Sequence, residues 1–529
     1  MENSYIGIKN TGCQQMEKKA IFTECITDIW VDVAKILEKK FNWNIVYWTT
    51  KEHFEDTIKK EFPNVVFHAN IDAARGVPPD EFKNLKLPPL DQKLLNELSF
   101  CESICLNMMN RMDVDDSFSY SDRLRLYHSL LRYWNAVLDK IKPDVVIAPV
   151  SPHLLYDYII YTLCKRKNIK TFMFRETAFK NFIYPVNNFE EGSIELQNTY
   201  KKYIRNKKYK EKISFSKNTE EYLKNMSKKY SDAMPSYMNY HYNKENFPLW
   251  LFSKYKKYIH EPDELFLKLK NFERPGRYLF TKKHHFKEKN KNIEDSDVRG
   301  LKLILIKRKA HKKKKYLNRY YNSLTGEINL KNPYIYVSLH YQPERTSAPE
   351  GEIFANQYLM VDMLSKLVPK GWKVYVKEHP TQLMKHGGGE KARKTVFYDD
   401  IKALDNVRFV PLNFSQFDLV DNSKAVATIT GTTGWEAVLR GKPALVFGHA
   451  WYRDCEGVFY VPTIEKCKKA LNKIKSEYKI DQDLVKLYVY ALEKVCVKGY
   501  INKSFEKITG IPYKKNVTSL AHAMDNFLN

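Results

Sequence analysis

The eight cysteines of this 529-residue chain form no C-x-x-C pair. Only Cys101 and Cys105 stand one helical turn apart. A structural zinc site needs four converging ligands, so neither a zinc site nor a disulfide framework is expected, and the cysteines read as buried and reduced. No run approaches the ~20 apolar residues of a spanning helix, so no transmembrane segment is expected. Met1-Glu-Asn-Ser-Tyr-Ile carries no basic patch leading into an apolar core, so no secretory leader is expected and the location reads as cytoplasmic. No internal repeat, helix-turn-helix, RNA-recognition signature or zinc finger occurs, which argues against specific nucleic-acid binding.

What is present supports folded domains. A hydrophobic content of 43% is enough for real cores, and the length suggests two or three of them. The net charge of +26 would draw the protein toward nucleic acid, an anionic bilayer or an acidic substrate. Basic runs occur at Lys282-Lys-His-His285 and Lys312-Lys-Lys-Lys315, within a Lys- and Tyr-rich stretch. Two readings stand: a solvated charged face, or a basic apron against lipid headgroups or a polyanionic acceptor.

Strand and helix signals alternate along residues 19–176. Short apolar runs at 19–23, 44–48, 65–67, 143–149 and 171–174 read as strands. Helical periodicity covers 26–40, 92–110, 123–141 and 154–167. A second series runs from Tyr334-Ile-Tyr-Val-Ser-Leu339 to Ala444-Leu-Val-Phe447, with strands at 373–376, 407–410 and 425–430 and helices at 353–367 and 414–422. The expected fold is α/β, with two doubly wound parallel sheets. The expected domains are 1–185, a helical basic insertion at 186–330, a nucleotide-binding domain at 331–480 and C-terminal helices at 481–529.

Ligands of open α/β sheets bind at the carboxyl ends of strands. Three such ends are polar. In Thr430-Gly-Thr-Thr-Gly-Trp-Glu436, Gly431 and Gly434 suit a tight turn, and the helix that follows presents the positive end of its dipole to an anion. Thr430, Thr432 and Thr433 add hydroxyls; ordinary capping is the alternative. Glu436 either complements the dipole or accepts from a ribose diol. In Val376-Lys-Glu-His-Pro380, proline holds His379 extended at the rim, where it can donate to a phosphate or act as an acid, with Lys377 nearby. In Leu339-His-Tyr-Gln-Pro-Glu-Arg345, Gln342 and Glu344 join Arg345, which is placed to cover a phosphate.

These motifs, with Gly441-Lys-Pro443, Pro143-Asp144 and Ser151-Pro-His153, resemble bacterial capsular-polysaccharide biosynthesis proteins, a group that includes Kdo transferases of capsule and lipopolysaccharide assembly. The resemblance lies mainly over residues 334–460 and does not reach the Lys/Tyr-rich middle. It implies a GT-B glycosyltransferase without a bound metal or other cofactor, taking a nucleotide-sugar donor, with a CMP-sugar such as CMP-Kdo favoured. His379, Pro380, Thr432 and Thr433 would hold the phosphate and Glu436 the ribose. A glycan or glycolipid would accept the sugar at the inner face of the cytoplasmic membrane. The catalytic carboxylate would come from the first domain, with Glu176 and Asp157 as candidates and His153 one turn before Asp157. The loop departs from the serines of several relatives, which leaves the donor open. Two alternatives stand beside this reading: a sugar-nucleotide epimerase or polyol-phosphate transferase on a similar fold, and a non-enzymatic module binding RNA or membrane.

Overall fold

The computed structural model describes residues 17–113, 116, 118–179, 181–206, 209, 213–226, 300–384 and 388–529; the basic run at 282–285 lies outside them. The first sheet contains β1 (Lys18–Phe22), β2 (Trp43–Thr50), β3 (Val66–Ala69), β4 (Val145–Ile147), β5 (Lys170–Glu176) and β6 (Phe182–Val186). Pairings among β1 to β5 are all parallel. Their side chains are divided between two cores, as strand alternation requires. Ile21, Tyr47, Val146 and Met173 face one; Ala20, Phe22, Ile45, Val145 and Phe172 face the other, a register shift against β1 parting Ile45 from Tyr47.

Helices cover both faces. Asp28–Phe41 buries Ile29, Trp30, Val33, Ala34 and Leu37, and ends at Asn42, whose φ of 55° suits asparagine in the left-handed region. On the other face, Tyr120–Ile141 begins at Ser119, whose Oγ accepts from Asp122 N at 3.2 Å. Beside it, Leu155–Lys167 is buried on nearly every side.

The second sheet contains β7 (Tyr334–Ser338), β8 (Lys373–Lys377), β9 (Val407–Phe409), β10 (Ala425–Thr428), β11 (Ala444–Val446) and β12 (Val458–Tyr460), in the order β12-β11-β10-β7-β8-β9. Every pairing in it is parallel. Apolar residues fill both faces of these strands, the mark of a sheet covered on both sides.

The tail differs from a purely helical one. After the helix Gln482–Val495, β13 (Val497–Lys498) returns to the first sheet, giving the order β13-β6-β5-β4-β1-β2-β3. Both β6 and β13 are antiparallel to their neighbours, so the first sheet is parallel only in its main body. The helix Tyr513–Leu528 then packs on the helix Asp28–Phe41. It buries Val517, Leu520, Ala521 and Met524, while Trp43 Nε1 donates to Asp525 at 3.0 Å and Tyr513 donates to Asp32 at 2.8 Å. A large apolar side chain fully buried contributes roughly 1.5–3 kcal/mol, so the returning tail is a structural part of the first sheet's layer.

The basic run 312–315 lies on the helix Gly300–Leu324 and is not uniformly a solvated face. Lys314 is buried against Glu390 at 3.2 Å, alongside buried Leu317 and Tyr321.

Strand order reverses between β1 and β4 in the first sheet and between β7 and β10 in the second. Such switch points open crevices at the carboxyl edge. Loops from both edges meet across the chain: Ser151, after β4, donates to Glu350, and Arg345, after β7, meets Glu176 at the end of β5 at 3.2 Å. This is the GT-B architecture, two α/β sheets with their carboxyl edges toward one cleft.

Candidate functional site

At the second switch point, His340 follows β7 and Thr430 follows β10. Thr430 N donates to His340 Nε2 at 3.1 Å, so that nitrogen accepts and, in the neutral ring, Nδ1 carries the proton. Burial, then His379 and Arg393, lowers the pKa of His340 to about 3, which keeps the ring neutral. Gly431 and Gly434 are required by packing rather than by a strained turn. A Cβ on Gly431 would lie 2.7 Å from Thr428 Oγ1, and one on Gly434 would lie 2.4 Å from the Tyr452 hydroxyl. The helix Thr432–Leu439 starts directly after Gly431, and no side chain caps it. Its first N–H groups lack partners within the helix, as at every helix start.

His379 ends β8 and opens the turn Pro380–Gln382. Thr381 N donates to its Nδ1 at 3.3 Å, and the Thr381 hydroxyl lies 2.7 Å from the same atom. Nε2 is therefore the protonated nitrogen of the neutral ring, suited to donating to an anion. Lys377 is buried; its ammonium donates to Phe414 O at 2.6 Å and, among the described residues, has no carboxylate in ion-pair range. Burial lowers its pKa to about 8. On the same sheet face, Ser338 meets Thr433 at 3.2 Å, and Gln416 donates to Glu436 at 2.8 Å. Burial raises the Glu436 pKa to about 7, against hydrogen bonds from Gln416 and Thr432.

The remaining second-sheet candidates lie elsewhere. Gln342 is drawn inward: its side chain donates to Ala355 O at 2.7 Å and accepts from Arg393 at 2.5 Å. Arg393 also meets the buried Glu378 at 2.8 Å. Arg345 and Glu344 stand between the sheets. Glu350 gathers Ser151, the Arg175 guanidinium at 3.0 Å and Arg345 at 3.7 Å. Against the penalty of its burial, Arg175 and Arg345 hold Glu350 below the ordinary carboxylate range. Burial, partly offset by Arg345 and Arg111, raises Glu344.

At the first switch point, Asp157 is buried, and its Oδ2 accepts from His153 N at 2.8 Å and Leu154 N at 3.1 Å, closing the first turn of its helix. Its Oδ1 is buried with no hydrogen-bond partner among the described residues. Burial raises the Asp157 pKa to about 7, against those hydrogen bonds and Arg111. His153 is exposed toward the cleft, where desolvation by its surroundings, then Arg111 and Arg345, lowers its pKa. Glu176 sits on the rim, paired with Arg345.

Two residues here were not singled out by sequence. Glu24, directly after the β1 segment, has φ of 55°, a left-handed conformation uncommon for glutamate. Its N–H donates to Thr49 Oγ1 at 3.0 Å, and the Tyr156 hydroxyl donates to its carboxylate. Burial first, then Asp157, raises its pKa to about 8. A carboxylate at the end of the first strand was the only sequence signal. Arg111 spans the cleft, donating to His153 O and Ala348 O; no motif marked it.

Among the described residues, no group of three or more His, Cys, Asp or Glu is placed to hold a metal ion, and no helix is long and apolar enough to cross a membrane.

Residues 350–493 match the family model of capsule polysaccharide biosynthesis proteins, a segment that includes Lys377, His379 and the 430–436 loop. No curated protein matches the sequence. Among solved structures, UDP-GlcNAc 2-epimerase from Methanocaldococcus jannaschii is 12% identical over 90% of this chain and 99% of its own, with a TM-score of 0.24. The beta Kdo 2,7 transferase of Thermosulfurimonas dismutans KpsC is 9% identical over 91% and 100%, at 0.28. The beta Kdo 2,4 transferase of the same KpsC is 17% identical over 35% and 54%, at 0.22. Scores this low carry no argument about chemistry.

Proposed function

We propose that this protein is a glycosyltransferase that moves a sugar from a nucleotide donor to a surface polysaccharide or glycolipid in capsule or lipopolysaccharide assembly, with CMP-Kdo as the favoured donor. One observation carries the reading: two switch-point crevices share a cleft, and the one lying largely in the capsule-family segment holds a buried ammonium, without a carboxylate partner among the described residues, near an uncapped helix start. That is a site shaped for a phosphate.

In this reading His379 Nε2, the first N–H groups of the helix Thr432–Leu439 and Lys377 receive the donor phosphate. The hydroxyls of Thr432 and Thr433 assist, and Glu436 accepts from the ribose. These groups stabilise charge on the leaving phosphate with no metal assigned a role. Across the cleft, the acceptor hydroxyl meets Glu24. Its carboxyl, raised toward neutral pH by burial and by Asp157, is suited to exchanging a proton there. Asp157 orients the helix start and maintains the local negative field, while Arg345 and Glu176 pair at the rim.

Thermal-shift titration with CMP, CDP, UDP and GDP tests the donor half. Stabilisation by one of them, lost in His379→Ala, is expected. If none stabilises the protein and His379→Ala unfolds like the wild type under all four, the reading fails. A product assay separates the epimerase alternative, because an epimerase converts the nucleotide sugar with no acceptor present.

A further inference from the structure

The helix Gly300–Leu324 contains no acidic residue, and eight Lys and Arg fall between positions 307 and 319. Its inner stripe, Lys314, Leu317 and Tyr321, is buried. At about 3.6 residues per turn, Leu305, Arg308, Lys312, Lys315, Tyr316 and Arg319 fall on the opposite side, and all six are exposed. The helix is anchored in place. Lys313 pairs with Asp116 of the first domain at 2.8 Å, Lys314 pairs with Glu390 of the second, and Tyr321 donates to Val410 O at 2.7 Å. Lys391, beside Glu390, donates to Arg111 O at 2.7 Å. The helix therefore lies where the two cleft walls meet.

We propose that this outward stripe docks the protein on an anionic bilayer, turning the cleft toward the lipid–water interface. The proposal rests on the glycosyltransferase reading for what waits at that interface, a glycolipid acceptor, but not for the binding itself. Charge complementarity names the partner class, since a stripe of cations with no acid in its helix is attracted to anionic headgroups. Two apolar side chains narrow it. Leu305 is 62% exposed and Tyr316 58% exposed on the same side as the cations. An interfacial helix uses such groups to enter the headgroup boundary, whereas a surface that tracks nucleic-acid phosphates has no use for an exposed leucine.

The test is co-sedimentation of the full chain with vesicles of phosphatidylcholine alone and of phosphatidylcholine mixed with phosphatidylglycerol. Binding to the anionic vesicles only is expected. Each cation near the surface is worth about fivefold in partitioning. The variant Arg308→Gln/Lys312→Gln/Lys315→Gln/Arg319→Gln should therefore lose binding by about two orders of magnitude or more. Glutamine keeps helix propensity, and the thermal midpoint confirms that the variant folds. Leu305→Ser/Tyr316→Ser should bind anionic vesicles at low salt but release at lower salt than the wild type. Equal binding to both vesicle types, or an undiminished quadruple variant, overturns the proposal. So does capture of unstructured RNA by the wild type with no vesicle binding. Nucleotide titration on the same variants keeps the two readings apart: unchanged nucleotide stabilisation with lost vesicle binding isolates docking, and absent nucleotide stabilisation with intact vesicle binding isolates the donor site.

Discussion

The first wall of the cleft sets two acids side by side, whereas the second buries a base, Lys377, on the same wall as the acid Glu436; among the described residues none of these groups has an ion-pair partner. Glu24 and Asp157 lie near one another at the β1/β4 switch point, with pKa values raised to about 8 and about 7. Lys377 lies at the end of β8, with its pKa lowered to about 8. Elsewhere in the same molecule, buried charge is matched: Glu378 with Arg393, and Glu350 with Arg175 and Arg345. Removing charge from water costs several kcal/mol unless it is paired, so folding alone favours the matched arrangement. The unmatched acids Glu24 and Asp157 sit at a switch point and Lys377 one strand from the other, while the matched groups hold loops and the two sheets together. Strongly shifted groups in a cleft mark functional candidates, and this division separates them from structural ion pairs.

The deepest cut through that comparison is Glu24→Gln. Losing a proton-exchanging carboxyl should lower turnover by about 10²–10⁴-fold, while nucleotide affinity, measured calorimetrically, stays the same. Equal turnover would return Glu24 to a purely structural role. Stability should respond to pH as well. The folded chain holds protons on Glu24 and Asp157 more tightly than the unfolded chain does, so unfolding releases them between about pH 4.5 and pH 8. Their contribution is fully present below that window and is lost as pH rises through it, on the order of 5 kcal/mol from Glu24. Urea unfolding across the window should show a shallower decline in Glu24→Gln than in the wild type; parallel curves would mean that Glu24 ionises normally.

Much of the fold is legible because buried parallel strands read as short apolar runs between helical stripes. The strands that escape have physical reasons. In β6, Phe182-Ile-Tyr-Pro-Val186, a proline interrupts what would otherwise read as a strand. It is tolerated because β13 pairs only with Phe182 and Ile183, short of Pro185. The two residues of β13 pair with a segment more than 300 positions away, which no local pattern encodes. In the site, Lys377, His379, Thr433 and Glu436 stand out as polar groups at strand ends and helix starts, and the fold gathers their segments at one edge. Ser338 and Gln416 complete that edge but carry no pattern. Gln342 looked equally polar in sequence, yet the fold turns it toward Arg393, because a buried guanidinium needs acceptors on several sides. Glu24 depends on a backbone conformation that sequence does not display.

The smaller effects sharpen the contrast between matched and unmatched charge. Lys377→Met keeps the length of the side chain and removes its ammonium. A charge-assisted hydrogen bond to phosphate is worth about 1.5–3 kcal/mol, so nucleotide affinity should weaken roughly 10- to 100-fold. The urea midpoint should hold or rise, because an ammonium with no carboxylate partner among the described residues no longer needs burial. A lower midpoint with intact affinity would make the bond to Phe414 O the reason for the lysine. Glu176→Gln is the mildest change. Glu176 is 39% exposed, and its partner Arg345 keeps Glu350, so the pair is a rim contact worth no more than roughly 1 kcal/mol. Turnover should fall by no more than about fivefold, the equivalent of that energy. The same substitution decides between the carboxylates of the first wall. A loss as deep as that of Glu24→Gln would move the proton transfer out to the rim, where charge is already paired, and the distinction between matched structural charge and unmatched reactive charge would not hold for this cleft.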